Sequence, residues 1–525
     1  MNKKTEACPE RSRRDRSQKP ALSEAEGTED SKQYAVKSKQ KKNKLLTAYC
    51  LLPTAYFLVL ASCLLPLVFI SCAGIVKPEK IGWREGTLVV YLYLPNSNQQ
   101  DINFTIEGLE IKQRDGEWIK LSEKPLTIRS PDIAKGQVLL TESAIREGEY
   151  DRVMMRVSDA NVGRNEKYHT LALPQPRGEI EIEGTVVNIR HGESIALFLI
   201  WNPDKSISNN YLFNPSIKME LQKVSPQTLL LYVTNSGSDY VSVIDRFENR
   251  VVGVIGVEKN PTGLVLSQEQ ERLYVLNSRS NSISIIDTSQ DYVRDRIQLA
   301  SGIEPIEMTM IPYSDKRNHG KLYITNMGSN DVTVVDTFMK SQIKSINVGN
   351  APFGISANPS RQEVYVANSG SNSVSVIDSM TDTVKATINV DRKPVDIVVV
   401  RDNIYTLNAE SDSITVIDTV TKTIKARIQA GINPRKGIYS EQYNRIYLSN
   451  YGVGQVSFLI PSSVVITRSI NAGNKPIGLT IDEGRKSLYI TDYSSDKVIL
   501  INPVSEVAEK VIIVGKRPYG IVSVK

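Results

Sequence analysis

The chain has 525 residues and a formal charge of +6, too long for one ordinary core, so two or three domains are expected. The excess charge is local. Residues 1–72 hold 13 Lys+Arg against 7 Asp+Glu and the rest carries 51 of each, so nothing supports nucleic acid as a partner. Cys8, Cys50, Cys63 and Cys72 all precede residue 73, and the only histidines are His169, His191 and His319. These exclude an internal disulfide, a cysteine zinc site and a Cys-X-X-Cys-His haem attachment in the folded part, and they argue against a multi-histidine metal centre.

Residues 1–44 are charged and rich in Ser, Lys and Glu, and are predicted to be disordered. Residues 45–71, "LLTAYCLLPTAYFLVLASCLLPLVFIS", carry no charge and follow the basic cluster "KSKQKKNK". Basic, then apolar, then small is the order of an export signal. A run of 27 residues is also long enough to span a bilayer uncleaved. "FISCAG" is similar to a bacterial lipobox, which makes Cys72 the preferred lipidation site. Cys63 has the better residue three positions before it, but cleavage there would leave "LLPLVFIS" exposed.

Residues 82–221 form the first predicted domain. "GTLVVYLYLP", "INFTIEGLEIKQ", "YDRVMMRVSDA", "EIEIEGTVVNIR" and "SIALFLIW" read as strands, with clear alternation in the fourth and turn signals at "RDGE" and "REGEY". An immunoglobulin- or transthyretin-like β-sandwich is expected. "GTLVVYLYLP", "EGEYDRVMMRV" and "GESIALFLIWNPDKSI" together resemble an uncharacterised domain family that follows the lipidated cysteine of bacterial lipoproteins. His169 and His191 are read as surface or packing residues. Residues 222–228 read as a linker.

From residue 229 to 525 the chain repeats. Aligned tyrosines at 232, 274, 323, 365, 405, 447 and 489 are spaced 42, 49, 42, 40, 42 and 42 residues apart. Each copy holds four short Val/Ile/Tyr-rich runs divided by Asn, Gly, Ser and Asp, which is the signature of a propeller blade. The strands are labelled A (after a Pro), B (as in "YVTN"), C (as in "SVID") and D. The first copy starts at B and the last ends with an extra A, "RPYGIVSVK". One blade is therefore split between the two ends, and the predicted fold class is all-β: a seven-bladed β-propeller, closed by its C-terminal strand, behind an N-terminal β-sandwich. Tyr232-Val233-Thr234-Asn235, the period, "SVSVIDSMTDTV" and "VGNAPFGI" resemble the YVTN family of β-propeller repeat proteins over residues 230–525. That resemblance implies fold and leaves function open.

Two rows of residues look catalytic when gathered and are read as structural. Asn235, Asn277, Asn326, Asn368, Asn408 and Asn450 end strand B; Asp245, Asp287, Asp336, Asp378 and Asp418 end strand C. Both types tolerate left-handed backbone and bond locally in turns. A ligand site should instead depart from the consensus where the D–A and B–C loops ring one mouth. Strand A begins Pro-X-Gly at Gly263, Gly354, Gly478 and Gly520, but Glu307 and Asp396 replace the glycine in blades three and five. They are candidates for a cation or polar-ligand site. The plain alternative is a solvated rim with Asp396 paired to Arg435 or Lys436. Arg392, Lys393, Arg435, Lys436, Lys475, Lys516 and Arg517 fall in successive D–A loops, facing Glu304 and Glu307, and could attract an anionic ligand or partner.

No phosphate loop and no nucleophile–base pair is legible, and neither a cofactor nor a metal is expected. The leading expectation is an exported, membrane-anchored, non-enzymatic binding or scaffolding protein of the bacterial cell envelope, with a protein or envelope polymer as partner. The alternatives are an envelope enzyme or redox-associated propeller with a ligand or metal at the channel mouth, and a cell-surface adhesion protein.

Overall fold

In the computed structural model, ten strands make the first domain: β1 (Glu85–Tyr93), β2 (Ile102–Gln113), β3 (Trp118–Ser122), β4 (Leu126–Arg129), β5 (Gln137–Arg146), β6 (Gly148–Arg164), β7 (Lys167–Thr170), β8 (Glu179–Ile189), β9 (Ser194–Asn202) and β10 (Ser216–Leu221). The structure describes residues 84–524 except 96–99, 134–135, 176–177, 209–210, 224–228, 268–270 and 314–318. The predicted disordered segment, residues 45–71, Cys63 and Cys72 all lie outside the described residues.

The sheet order is β3-β2-β6-β8-β10-β9-β1-β5, with β4 on β2 and β7 on β6. β1 runs parallel to β9, and β10 meets β8 through Met219 and Gly184 alone. The halves on either side of that link face each other across one core. Leu88, Val90 and Leu92 of β1 pack there with Ile102, Phe104, Met155 and Trp201, and Phe104 meets Trp201 edge-on at 5.1 Å between ring centroids. The predicted β-sandwich is thus present as a folded-over, ten-stranded sheet that includes a parallel pair.

The repeat region forms seven four-stranded sheets. Blade I takes strand A, Pro518–Ser523, from the C-terminus and pairs it with strand B, Leu230–Asn235. Strands C (Tyr240–Asp245) and D (Arg250–Gly256) complete it. The ring is therefore closed by the chain's tail, as the offset of the repeat requires.

The three polar letters of the repeated tetrapeptide reach different partners. In several blades the tyrosine hydroxyl reaches the C–D turn of the next blade: Tyr232 donates to Asp291 at 2.5 Å, Tyr323 to Asp382 at 2.5 Å, and Tyr405 to the Pro461 carbonyl at 3.2 Å, whereas Tyr365 donates to Glu363 of its own strand. The threonine or serine hydroxyl reaches the innermost strand of the next blade. Thr234 donates to the Thr262 carbonyl, Thr325 to that of Phe353 and Thr491 to that of Tyr519, at 2.7–3.0 Å. The asparagine amide stays within its blade and donates to a strand C hydroxyl seven residues on: Asn235 to Ser242, Asn277 to Ser284, Asn326 to Thr333, Asn368 to Ser375, Asn408 to Thr415 and Asn450 to Ser457.

The asparagines bond locally, but they are not the left-handed residues. Positive φ falls four positions later, at Asp239, Asn281, Asn330, Asn372 and Asp412, where the B–C turn must reverse. The strand C aspartates likewise precede the strained position. Asp336, Asp378 and Asp418 accept the backbone N–H groups two and three residues on, while Lys340, Asp382 and Lys422 take φ near +55°.

Asp291 is the least comfortable of these rivets. Burial raises its pKa from 3.8 to about 6, Tyr232's hydrogen bond opposes the rise, and Asp287's charge adds to it. A carboxyl raised in the fold contributes fully only below its unfolded pKa of 3.8, and that contribution is lost as pH climbs through about 6. Asp291→Asn keeps an acceptor for Tyr232 and removes the buried charge. It should increase unfolding free energy at pH 7.5 by about 2 kcal/mol and give no gain at pH 4. Denaturant titrations at the two pH values check this; an equal change at both would refute it.

Candidate functional site at the propeller mouth

The innermost strands crowd the propeller axis. A Cβ added at Gly354 would lie 2.4 Å from the Val395 carbonyl oxygen, and one at Gly478 would lie 2.3 Å from that of Tyr519. Glycine fills the slot two residues after the proline for that reason. Three blades depart from it: Glu307 in blade III, Asp396 in blade V and Lys436 in blade VI. Here the β-ladder resumes at the charged residue itself, opposite Thr325, Leu407 and Ser449 respectively, after a register shift. Such a bulge re-aims a side chain.

The three departures find one another. Lys436 Nζ lies 3.3 Å from Glu307 Oε2 and 3.4 Å from Asp396 Oδ1, while Asp396 Oδ2 accepts the Gly437 N–H at 2.9 Å. Side-chain exposure is 28% for the lysine, 11% for the glutamate and 3% for the aspartate. A lysine from blade VI therefore reaches glutamate in blade III, three blades away round the ring. Burial raises the Asp396 pKa although Lys436 pulls it down. Burial also works against the Lys436 ammonium, but Asp396 and Glu307 outweigh it and hold that pKa above the usual lysine value. With all three ionised, the cluster carries one net negative charge. Of the two partners named from sequence for Asp396, Lys436 makes the pair and also takes Glu307. The missed signal was that Lys436 occupies the same post-proline slot as the two acids.

Beside the cluster, next to Ile306 and Arg435, opens a funnel of about 350 Å³ lined also by Asn260, Asn433, Tyr451, Tyr493 and Tyr519, among others. The Arg435 guanidinium lies over the Phe353 ring at 4.2 Å, and Lys475 Nζ lies 5.2 Å from the centroid of Tyr451. Asp492 replaces the strand B asparagine in blade VII, and its carboxylate accepts the backbone N–H groups of Asn474 and Lys475 at 2.9 and 3.0 Å. Burial opposes ionisation of Asp492, yet those bonds hold its pKa below the usual value. It anchors the loop that carries Lys475.

The remaining predicted cations divide. Arg392, Lys393 and Arg517 are exposed on the rim, with Lys393 3.2 Å from Glu410. Lys516 Nζ turns to Glu142 of β5 at 3.6 Å. The histidines stay apart: His169 pairs on β7 opposite Val162, His191 lines a cleft between the domains, and His319 packs edge-on to Phe338. Among the described residues no group of three or more His, Cys, Asp or Glu could hold a metal ion.

The sequence reading also missed the docking of the first domain. Pro78–Lys525 is one compact unit. Val89 and Tyr91 of β1, with Ala196 and Phe198 of β9, turn away from the sandwich core and pack on Val233, Tyr240, Val251 and Val254. Gln222 Oε1 accepts both the Ala196 and the Val254 N–H at 2.9 Å. Arg250 stacks on Tyr93 at 4.4 Å. The signals were present: "TLVVYLYL" is apolar on both faces, as a strand covered on both sides should be. Strand D of blade I, "RVVGVIG", is apolar where "YVRDRIQ" and "TVKATIN" alternate. The docked sheet covers that otherwise open edge.

Comparison with known proteins agrees with this division. Residues 85–215 match the family described as Domain of unknown function (DUF4382). No curated protein matches the chain. Among solved structures, the chain is similar to Kuenenia stuttgartiensis hydrazine synthase (19% identity, TM-score 0.44, covering 50% of this chain and 90% of that one). It is also similar to a functionally unknown protein from Desulfotomaculum acetoxidans (10%, TM-score 0.49, 56% and 99%). A third likeness is to virginiamycin B lyase from Staphylococcus aureus (17%, TM-score 0.43, 50% and 87%). These likenesses carry no argument about what the chain does. The chain is an all-β protein with a DUF4382 domain docked on a seven-bladed propeller.

Proposed function

We propose that this is an exported, membrane-anchored, non-enzymatic binding or scaffolding protein of the bacterial cell envelope. Its YVTN-type propeller presents the loop face to a protein or envelope polymer bearing anionic groups. One observation carries the reading. Arg392, Lys393, Lys475 and Arg517 from the D–A loops, with Arg435 at the start of a strand A, gather on the face that holds an aromatic-walled funnel, and the largely buried Glu307–Lys436–Asp396 cluster lies beside it. An excess of positive charge on the face around a concave mouth raises the local concentration of anionic partners. Anchoring rests on the apolar residues 45–71 and on Cys72 as the lipidated residue, a hydrophobic attachment that holds a domain near a membrane.

Cells producing the full chain and fed labelled palmitate test both halves. The chain should take up label and Cys72→Ser should lose it. Solubilised full chain should bind polyglutamate, and changing Arg392, Lys393 and Arg517 together to Gln should weaken that binding at least tenfold at low salt. Label retained in Cys72→Ser would overturn the anchor; unchanged retention by the triple variant would overturn the binding face.

A further inference from the structure

The funnel offers more than a cationic rim. At the rim are two cations parked on rings, Arg435 over Phe353 and Lys475 over Tyr451. A cation held only by a ring face is held weakly, by about 0.5–1 kcal/mol where exposed, so it can swing to an anion at small cost. The walls are Tyr493 and Tyr519 with Asn260 and Asn433: flat apolar rings beside amide groups that donate and accept. Beside the lining residues Ile306 and Arg435, their chain neighbours Glu307 and Lys436 form with Asp396 a cluster of net negative charge. An anionic group is therefore drawn to Arg435 and Lys475, while neutral hydroxyls are met by the amides of Asn260 and Asn433. The cavity of about 350 Å³ lies within the roughly 300–1,000 Å³ typical of small-molecule sites.

Resting on the anionic-partner reading above, we infer that the funnel is a subsite for an acidic saccharide: one hydroxylated ring stacked on the tyrosines, with its carboxylate held between Arg435 and Lys475. A neutral sugar loses the rim contact. A simple carboxylate such as acetate loses the stacking and the amide contacts. Rings of this chemistry occur as free monosaccharides and as units of a polymer, and the experiment separates the two.

Calorimetric titration of the full chain uses four probes: galacturonic acid, trigalacturonic acid, galactose and polyglutamate. Both uronates should bind at least tenfold more tightly than galactose. Arg435→Gln should erase that preference and Arg435→Lys should restore part of it. Tyr451→Ala should weaken both uronates while leaving polyglutamate unchanged. Equal affinity of the monomer and trimer places one ring in the site; a trimer gain of tenfold or more assigns the site to a polymer. Equal binding of galactose and galacturonic acid, or an uronate affinity unmoved by Arg435→Gln, overturns the inference. If polyglutamate still binds in that case, the anionic-partner reading stands alone; if it does not, both fall.

Discussion

Removing residues 518–525 should leave the propeller unfolded or aggregated. The deletion takes away the whole strand A of blade I and exposes Leu230–Asn235 as an open edge, which invites pairing with other chains. It also strips the partners of buried groups elsewhere. Arg246, 3% exposed, donates to the Val524 carbonyl and pairs with Asp482 of blade VII at 2.7 Å. Thr234 receives the Gly520 N–H at 2.8 Å. Burying Ile521 contributes roughly 1.5–3 kcal/mol and the partly buried Val522 and Val524 less each, a sum that, with the lost strand pairing, reaches the low end of the roughly 5–15 kcal/mol that holds a domain together. Size-exclusion chromatography and thermal melting of the truncated chain check this. A monomer with an unchanged melting temperature would show that the ring does not depend on its tail.

Replacing Lys436 by Met should cost about 3 kcal/mol at neutral pH, because it removes the partner of two buried carboxylates and leaves their charges uncompensated. The pH dependence separates this from lost packing. Burial already raises the Asp396 pKa in the intact cluster, against the pull of Lys436, and losing the ammonium raises it further. A carboxyl with a raised folded pKa stabilises fully below its unfolded value of 3.8 and loses that contribution as pH rises through the folded one. The Lys436→Met defect should therefore be largest at pH 7–8 and shrink toward pH 4. Adding Asp396→Asn should recover most of it at pH 7. A defect independent of pH, or one that Asp396→Asn fails to relieve, would mean that the cluster acts through shape and not charge.

Much of the fold was legible because the repeat states its own geometry. Spacing, strand composition and the offset between "LLLYVTN" at the start and "RPYGIVSVK" at the end are enough to derive a closed ring of seven. The docked first domain was less legible, since it required reading "RVVGVIG" against its six counterparts. The mouth was legible in part. Glu307 and Asp396 stand out as departures from glycine, and the D–A cations stand out as a charge run. Their sorting was not legible. Lys436 reaches across to Glu307, Arg435 lies on Phe353, Lys475 on Tyr451 and Lys516 against Glu142, and nothing in their order along the chain distinguishes these fates.

What the sequence determined by itself was therefore what the repeat states: the blade, the turn residues, and the offset that makes the tail the final strand. Hydrogen-bond ladders and turns are short-range, and a short-range rule repeated seven times is readable from the letters. Only the tertiary structure decided which charges meet at the axis and which face of β1 covers the propeller. Ring closure brings together side chains more than a hundred residues apart, and at such separations distance in space, burial and charge set the pairing.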